Sequence, residues 1–408
     1  MALIPQVRTE RSPYGFWAKC IFAVVCVGIL ISRMPDRFFN AQLYAEDGYL
    51  YEQALRYGWH SLLMPYGGYL LTAQRLITWC GVIVPPLYAP LFFNVMALGA
   101  VFLVGIRLSS SRVNLICKPW LILALVLWPH PEDIFVTMEN MMWVLSLLLL
   151  LLSITEDADT GLALLADSLV VLLSGLTGVY AILFSPLFIL RAIMRRTPAS
   201  YFILFLVIST ALVQLYFVIH SPKQDIHAPV PWGDLVYIPS IIGYRALAQL
   251  FGAKALLAVG YHTLTVLGIA AGVGVGYLGI APVSSKHERN TRLILLLALM
   301  ITGAASVFRL KQSLPMLISP EALGRYFFIP QICLLWLIGF EYSKGGRRKI
   351  LAMSCAILFI FTSLSFFKVT ALKDMHWKIE SKRVIPGTYY DILINPQGWH
   401  FRSENSGL

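Results

Sequence analysis

Residues 120–154 read WLILALVLWPHPEDIFVTMENMMWVLSLLLLLLSI. Two apolar runs are parted by a short polar insert that carries Glu132, Asp133 and Glu139. Pro129 and Pro131 end the first run, because proline lacks a backbone donor and clashes with the preceding turn. Glu139-Asn140 opens the second run. Charge this close to a bilayer core is expensive and usually functional. Glu132 and Asp133 follow prolines, so capping explains them as well as chemistry does. Glu139 borders a strongly apolar run and is harder to dismiss.

The rest of the chain repeats this pattern. Of 408 residues, 58% are hydrophobic and 13% charged, and mean hydropathy is +0.72. The charged share is about half that of an ordinary soluble domain. Such a composition excludes a soluble enzyme, a disordered chain and a disulfide scaffold. The six cysteines lie in or beside apolar runs without a CxxC pair, so they read as small apolar residues. The net charge of +11 fits basic cytoplasmic loops better than nucleic acid, which is not expected as a partner.

Apolar runs lie near 16–31, 87–107, 119–130, 141–154, 162–175, 177–190, 200–220, 262–283, 292–308, 326–342 and 350–367. Arg8, Arg11 and Lys19 place the N-terminus in the cytoplasm, and Ser32-Arg33-Met34-Pro35 is no cleavage site, so the first run is an uncleaved span. Four basic joints follow: Arg107, Arg112 and Lys118; Arg191, Arg195 and Arg196; Lys286, Arg289 and Arg292; Lys344, Arg347, Arg348 and Lys349. If all are cytoplasmic, the runs between them come in pairs. Residues 68–84 then lie in the outer interface, since a span there would put the first joint outside. The expected fold is all-α: a polytopic integral membrane protein with about eleven transmembrane helices and outward-facing interfacial helices. It divides into a membrane domain, 1–367, with its first outward loop at 33–86, and a tail, 368–408, that ends outside. Proline-rich 221–261 reads as an ordered outward loop. Asp167, inside an apolar run, is an intramembrane flag with Ser168 or Ser174 as partners. No P-loop, GxGxxG, HExxH or GxSxG motif is present.

The outward segments collect the acids and aromatics. In the first loop, residues 49–57 suit a short helix with Leu50, Ala54 and Tyr57 on one face. Glu46 and Asp47 sit at its N-terminus, where the helix dipole favours negative charge. That placement is satisfied by capping alone. Alternatively, a carboxylate just outside the bilayer is placed to act as a general base on a sugar hydroxyl. Tyr44, Tyr49, Tyr51, Trp59 and Tyr66 crowd the pair, and flat aromatic faces stack on sugar rings. Paired carboxylates also suit Mg²⁺ or Mn²⁺, although no complete ligand set stands in the sequence.

An outward first loop with acids (Ala45-Glu46-Asp47-Gly48), a second acidic loop and Gly324-Arg325-Tyr326, set among many spans, resembles the GT-C superfamily. These are membrane glycosyltransferases that take sugar from a polyprenyl-phosphate carrier. Size and topology look similar to the phage-borne serotype-converting O-antigen glucosyltransferases. The resemblance implies a bacterial inner-membrane enzyme that uses a polyprenyl-phosphate-linked sugar, glucose by analogy, as donor. Its acceptor would be an outward glycan or glycolipid such as lipopolysaccharide O-antigen. It implies catalysis by Asp47 or Glu46, with Glu132, Asp133 or Glu139 as the second acidic position. Arg325, with Arg309 and Lys311, would hold the donor phosphate, and Arg75 is a further candidate; snorkelling toward headgroups explains such cations equally well. Tyr44, Trp59, Trp232 and Trp399 are the aromatic candidates for the acceptor. The competing class is a lipid-linked sugar flippase or other transporter. It would show internal repeats and mid-span polar groups, whereas no repeat is visible here.

Overall fold

The structure is a computed structural model that describes residues 16–221, 231–252, 259–283, 285–318, 323–385 and 387–403. The side chains of Phe16 and Asp133 lie outside the described set. Among the described residues the fold is helical apart from one hairpin. Six helices among the described residues are long and apolar enough to cross a membrane: Pro86–Ser109, Pro198–His220, Tyr261–Ile280, Lys286–Arg309, Gly324–Lys344 and Gly346–Ser365. A helix stands at each of the other predicted runs, but these are shorter; Met141–Ile154 and Gly161–Gly175 are apolar helices of this kind.

In chain order the first ten helices are α1 (Phe16–Arg33), α2 (Asp36–Phe39), α3 (Glu46–Tyr57), α4 (Thr72–Gly81), α5 (Ala89–Ser109), α6 (Lys118–Val126), α7 (Met141–Ile154), α8 (Gly161–Gly175), α9 (Tyr180–Arg195) and α10 (Pro198–His220). Helix α7 is apolar on every side and lies at the centre: all its residues except Met142 are buried. That is what an all-round apolar helix must do inside a bundle. Helix α4 occupies the ambiguous 68–84 segment. Its ten residues rise about 15 Å, half of what a span needs.

The four basic joints gather at one end of the bundle and are latched by acids. Asp167 is not held by the nearby serines. It pairs with Arg107 (2.9 Å) and Arg112 (2.6 Å) from the first joint. Asp157 takes Arg191 (2.6 Å) and Arg195 (3.2 Å). Glu341 takes Arg292 (2.6 Å) and Arg348, while Glu288 takes Arg292 (2.8 Å) and Lys344 (2.6 Å). Each joint therefore reaches an acid carried by a neighbouring element, or by another joint.

The opposite end is built from loops. Arg33, at the end of α1, is buried and donates to four carbonyls, those of Val126, Trp128, Phe366 and Phe367. It ties three apolar runs together where they finish. Residues 232–251, predicted as a loop, are helical instead: a 3₁₀ turn, a short α-helix, a π-helical stretch Gly243–Ala248 and a last α-turn. Pro239 sits in the first turn, where proline costs nothing. Gly243 and Gly268 let this segment press on Tyr261–Ile280, because a Cβ on either would collide with backbone.

The tail docks on the first loop. Leu372 N–H donates to Asp36 (3.0 Å), Trp377 Nε1 to the Pro86 carbonyl (3.1 Å), and Asn395 exchanges backbone bonds with Leu43 and Ala45. Its hairpin pairs β1 (Asp391–Ile394) with β2 (Trp399–Arg402). Phe401 lies parallel to Tyr51 at 5.7 Å, and Ile394 packs on Gly48, where even a methyl group would come within 2.7 Å.

Candidate functional site

At this end Glu46, Asp47 and Glu139 converge. Helix α3 starts at Glu46, three residues earlier than predicted, and buries Leu50, Tyr51 and Ala54; Tyr57 stays exposed. The carboxylate of Asp47 accepts the Glu139 backbone N–H at 2.9 Å. The Glu46 backbone N–H in turn donates to the Glu139 side chain at 3.2 Å. The Glu46 and Glu139 carboxyls hydrogen-bond each other, and the Tyr66 hydroxyl bonds Glu46. Asn140 Nδ2 donates to Glu139 at 2.7 Å, and Gln74 on α4 donates to the Glu139 carbonyl at 3.2 Å. Helix α4 is itself pinned to the Ser174–Gly178 turn, since Ala73 N–H donates to Thr177 and Gln214 bonds both backbone groups of Leu70.

The electrostatics follow from burial. Asp47 is 2% exposed, and burial pushes its carboxyl up to about 8. The Glu139 N–H and the Arg37 charge pull it back down, while Glu46 raises it further. Burial also carries Glu139 well above the usual carboxylate range, with the Glu46 hydrogen bond and the Glu46 and Asp47 charges adding to it. Arg325 opposes that rise. Burial therefore favours the neutral form of Asp47 and of Glu139. Among the described residues, none of the three forms an ion pair.

Backbone strain sits on both strands of this junction. Ala45, just before the pair, has φ +43°, and the β-branched, buried Val136, three residues before Glu139, has φ +57°. Neither type adopts such angles without surrounding support.

Arg325 lies in a 3₁₀ turn, Gly324–Phe327, and Arg309 ends the helix Lys286–Arg309. Both lower Tyr69, whose phenol is pushed up by burial to about 12, and Arg325 also acts on Glu139. Arg325 is therefore within reach of the acid cluster, and Arg309 of its neighbour Tyr69. Lys311 is buried with its ammonium 4.5 Å from the Phe308 ring centre. Arg75 is fully buried, donates from Nε to the Met64 carbonyl at 3.1 Å, and is lowered by burial to about 10. Glu132 faces His130 at 3.6 Å instead of the trio; burial would raise it, but the His130 hydrogen bond and charge hold it low. Asp133's side chain lies outside the described residues.

Beside the acids opens a cleft of about 810 Å³, lined by Gly48, Tyr49, Glu52, Tyr66 and Gly68 on one wall. Phe217, His220 and Ser221 form a second wall, and Trp399, His400 and Arg402 of the hairpin a third. Of the four predicted acceptor aromatics, only Trp399 lines it. Tyr44 lies under the Arg37 guanidinium (4.6 Å), Trp59 stacks outward on His60, and Trp232 is 77% exposed on a separate turn. The cleft is lined by neither Asp47 nor Arg325; Tyr66 connects it to Glu46.

Sequence reading missed Arg37 and Gln74. A signal for Arg37 existed: Arg33 and Arg37 put two positive charges at a span end predicted to be outward, against the usual bias. Gln74 gave none, because its role depends on the distant turn that fixes α4. Among the described residues, no three His, Cys, Asp or Glu side chains are grouped to hold a metal ion. Comparison with known protein families, with curated proteins and with solved structures finds no match.

Proposed function

We propose that this protein is a GT-C-like membrane glycosyltransferase that moves a sugar from a polyprenyl-phosphate carrier to a glycan acceptor. In this reading the acidic end faces the periplasm, the latched basic end faces the cytoplasm, and the six long helices cross between them. One observation carries the proposal: Glu46 and Glu139 meet next to a sealed-in Asp47, none of the three in an ion pair among the described residues, close to an aromatic cleft and within reach of Arg325. A purely structural junction would pair such charges, and perturbed carboxyls behind the wall of a cleft point to a functional site.

The roles divide by burial. Glu46 is half-buried and touches the cleft wall through Tyr66, so it is the base that takes the acceptor hydroxyl's proton. Asp47 is sealed in and holds the Glu139 loop by its backbone N–H, which makes it a positioning residue. The acceptor oxygen attacks the anomeric carbon as the bond to the carrier phosphate breaks. The electron pair leaves on phosphate, where Arg325 and Arg309 offset the growing charge. Direct displacement inverts the anomeric centre.

The test is transfer of a radiolabelled sugar from polyprenyl phosphate to O-antigen glycolipid by protein in lipid nanodiscs. Glu46→Gln should lower the rate about 10²–10⁴-fold, the range a positioned general base contributes. Transfer at the wild-type rate by folded Glu46→Gln would remove Glu46 from the chemistry. Wild-type protein that moves no sugar but carries lipid-linked sugar across a bilayer would replace the enzyme reading with transport.

A further inference from the structure

We infer that the cleft roofed by the tail hairpin is the acceptor subsite and takes a carbohydrate chain, with Trp399 as its central platform. This rests on the transferase reading for the direction of chemistry, but the cleft makes its own case. Its volume, about 810 Å³, lies within the usual range of ligand sites. Aromatic rings come from three separate parts of the chain: Tyr49 and Tyr66 in the first loop, Phe217 at the end of α10, and Trp399 on β2. Tyr49 and Tyr66 are 5.3 Å apart and tilted to each other, so they form a continuous wall and not isolated rings. Polar groups are interleaved with them: Glu52, His220, His400 and Arg402. Flat apolar faces alternating with hydroxyl-binding groups match the surface of a sugar, which presents C–H on its faces and O–H around its rim.

Three glycines keep the cleft open. Gly67 (φ +61°) and Gly68 (φ +93°) make a turn below Tyr69, and Gly398 (φ +93°) makes the hairpin turn that delivers Trp399. Trp399 is 37% exposed although its hairpin is docked through Phe401 and Ile394, which are fully buried. Trp399 pairs with Ile394 and shares the face of Phe401, so it extends the docked face of the hairpin out to its open end, at the rim of the cleft. Tyr66 both lines the cleft and bonds Glu46, so an acceptor hydroxyl held against Tyr66 lies next to the proposed base.

The experiment measures binding, not turnover. Polysaccharide released from lipopolysaccharide by mild acid, free of lipid, is titrated into full-length protein in nanodiscs and followed by calorimetry. Wild type should bind, Trp399→Ala should bind about tenfold more weakly as expected for a central aromatic anchor, and Trp399→Tyr should recover most of the loss. Trp232→Ala, off the cleft, should bind like wild type. Equal binding by Trp399→Ala, or a Trp232→Ala loss as large as that of Trp399→Ala, overturns the assignment, as does wild type that binds no polysaccharide. Binding lost with Trp399 in a protein that never transfers sugar would keep the cleft and discard the transferase.

Discussion

The two ends of the bundle handle buried charge in opposite ways. At the basic end, Asp157, Asp167, Glu288 and Glu341 each contact two cations, and Arg292 bridges two of them. At the acidic end, Glu46, Asp47 and Glu139 contact one another, backbone N–H groups and neutral side chains. Both arrangements are desolvated, so both incur the cost of taking charge out of water. The first recovers it by pairing. The second avoids part of it because burial favours the protonated forms of Asp47 and Glu139, whose ionisation then responds to what enters beside them. A latch needs the former; a site that moves protons needs the latter.

The largest effect should come from breaking the latch. Arg292→Met removes a fully buried cation shared by Glu288 and Glu341 and leaves their charges undercompensated. Losing one partner of a buried pair costs about 3–5 kcal/mol. Thermal unfolding in detergent micelles should show a large fall in the midpoint. An unchanged midpoint would mean that this end is not a latch, and the contrast would collapse.

At the other end, neutralising an acid should stabilise. Asp47 goes from an ordinary value of 3.8 to about 8 on folding. The folded protein therefore holds a proton that the unfolded chain releases across this window. Stability attributable to Asp47 is greatest near pH 4 and falls as pH rises to about 8. Asp47→Asn should flatten that decline and raise stability at pH 8 by on the order of 2 kcal/mol, smaller than the Arg292 loss and opposite in sign. Parallel unfolding curves for both proteins from pH 5 to 8.5 decide it. An Asp47→Asn protein that is less stable at pH 8 would show that the carboxylate is paired after all.

These differences explain what the sequence could show. The helical membrane class, the acidic Glu46-Asp47 and Glu139 positions and the basic joints all lie in local patterns: long apolar runs, charges at their ends, prolines that stop helices. The pairing of Asp167 with Arg107 and Arg112, rather than with Ser168 or Ser174, depended on which helices are neighbours. So did the separation of Glu132 from Glu139, seven residues apart but facing different partners. Trp232 lies away from the cleft because its 3₁₀ turn packs on Ile238–Ile242 and Lys311–Ile318. The hairpin that brings Trp399 to the first loop is the least local feature, since its docking joins residues some 350 positions apart.

The smallest expected effect tests whether strain, too, differs between the ends. Ala45 (φ +43°) stands before the acid pair, and Arg196 (φ +57°) caps α9 at the basic end. Glycine at a helix C-cap is the ordinary solution, so Arg196→Gly should stabilise by up to about 1 kcal/mol with no change in transfer. Ala45→Gly relieves a comparable strain and should stabilise similarly, again by up to about 1 kcal/mol. Its consequence for activity should not be similar. The Ala45 conformation sets the direction in which Glu46 leaves the loop, and the Asn395 carbonyl holds it there through the Ala45 N–H at 2.5 Å. Freed of its Cβ, the backbone samples other angles, and Glu46 loses its fixed relation to Tyr66 and Glu139. Transfer should fall several-fold while the unfolding midpoint rises. Two glycine variants with equal gains in stability and equal activity would show that the strain at Ala45 is as incidental as that at Arg196.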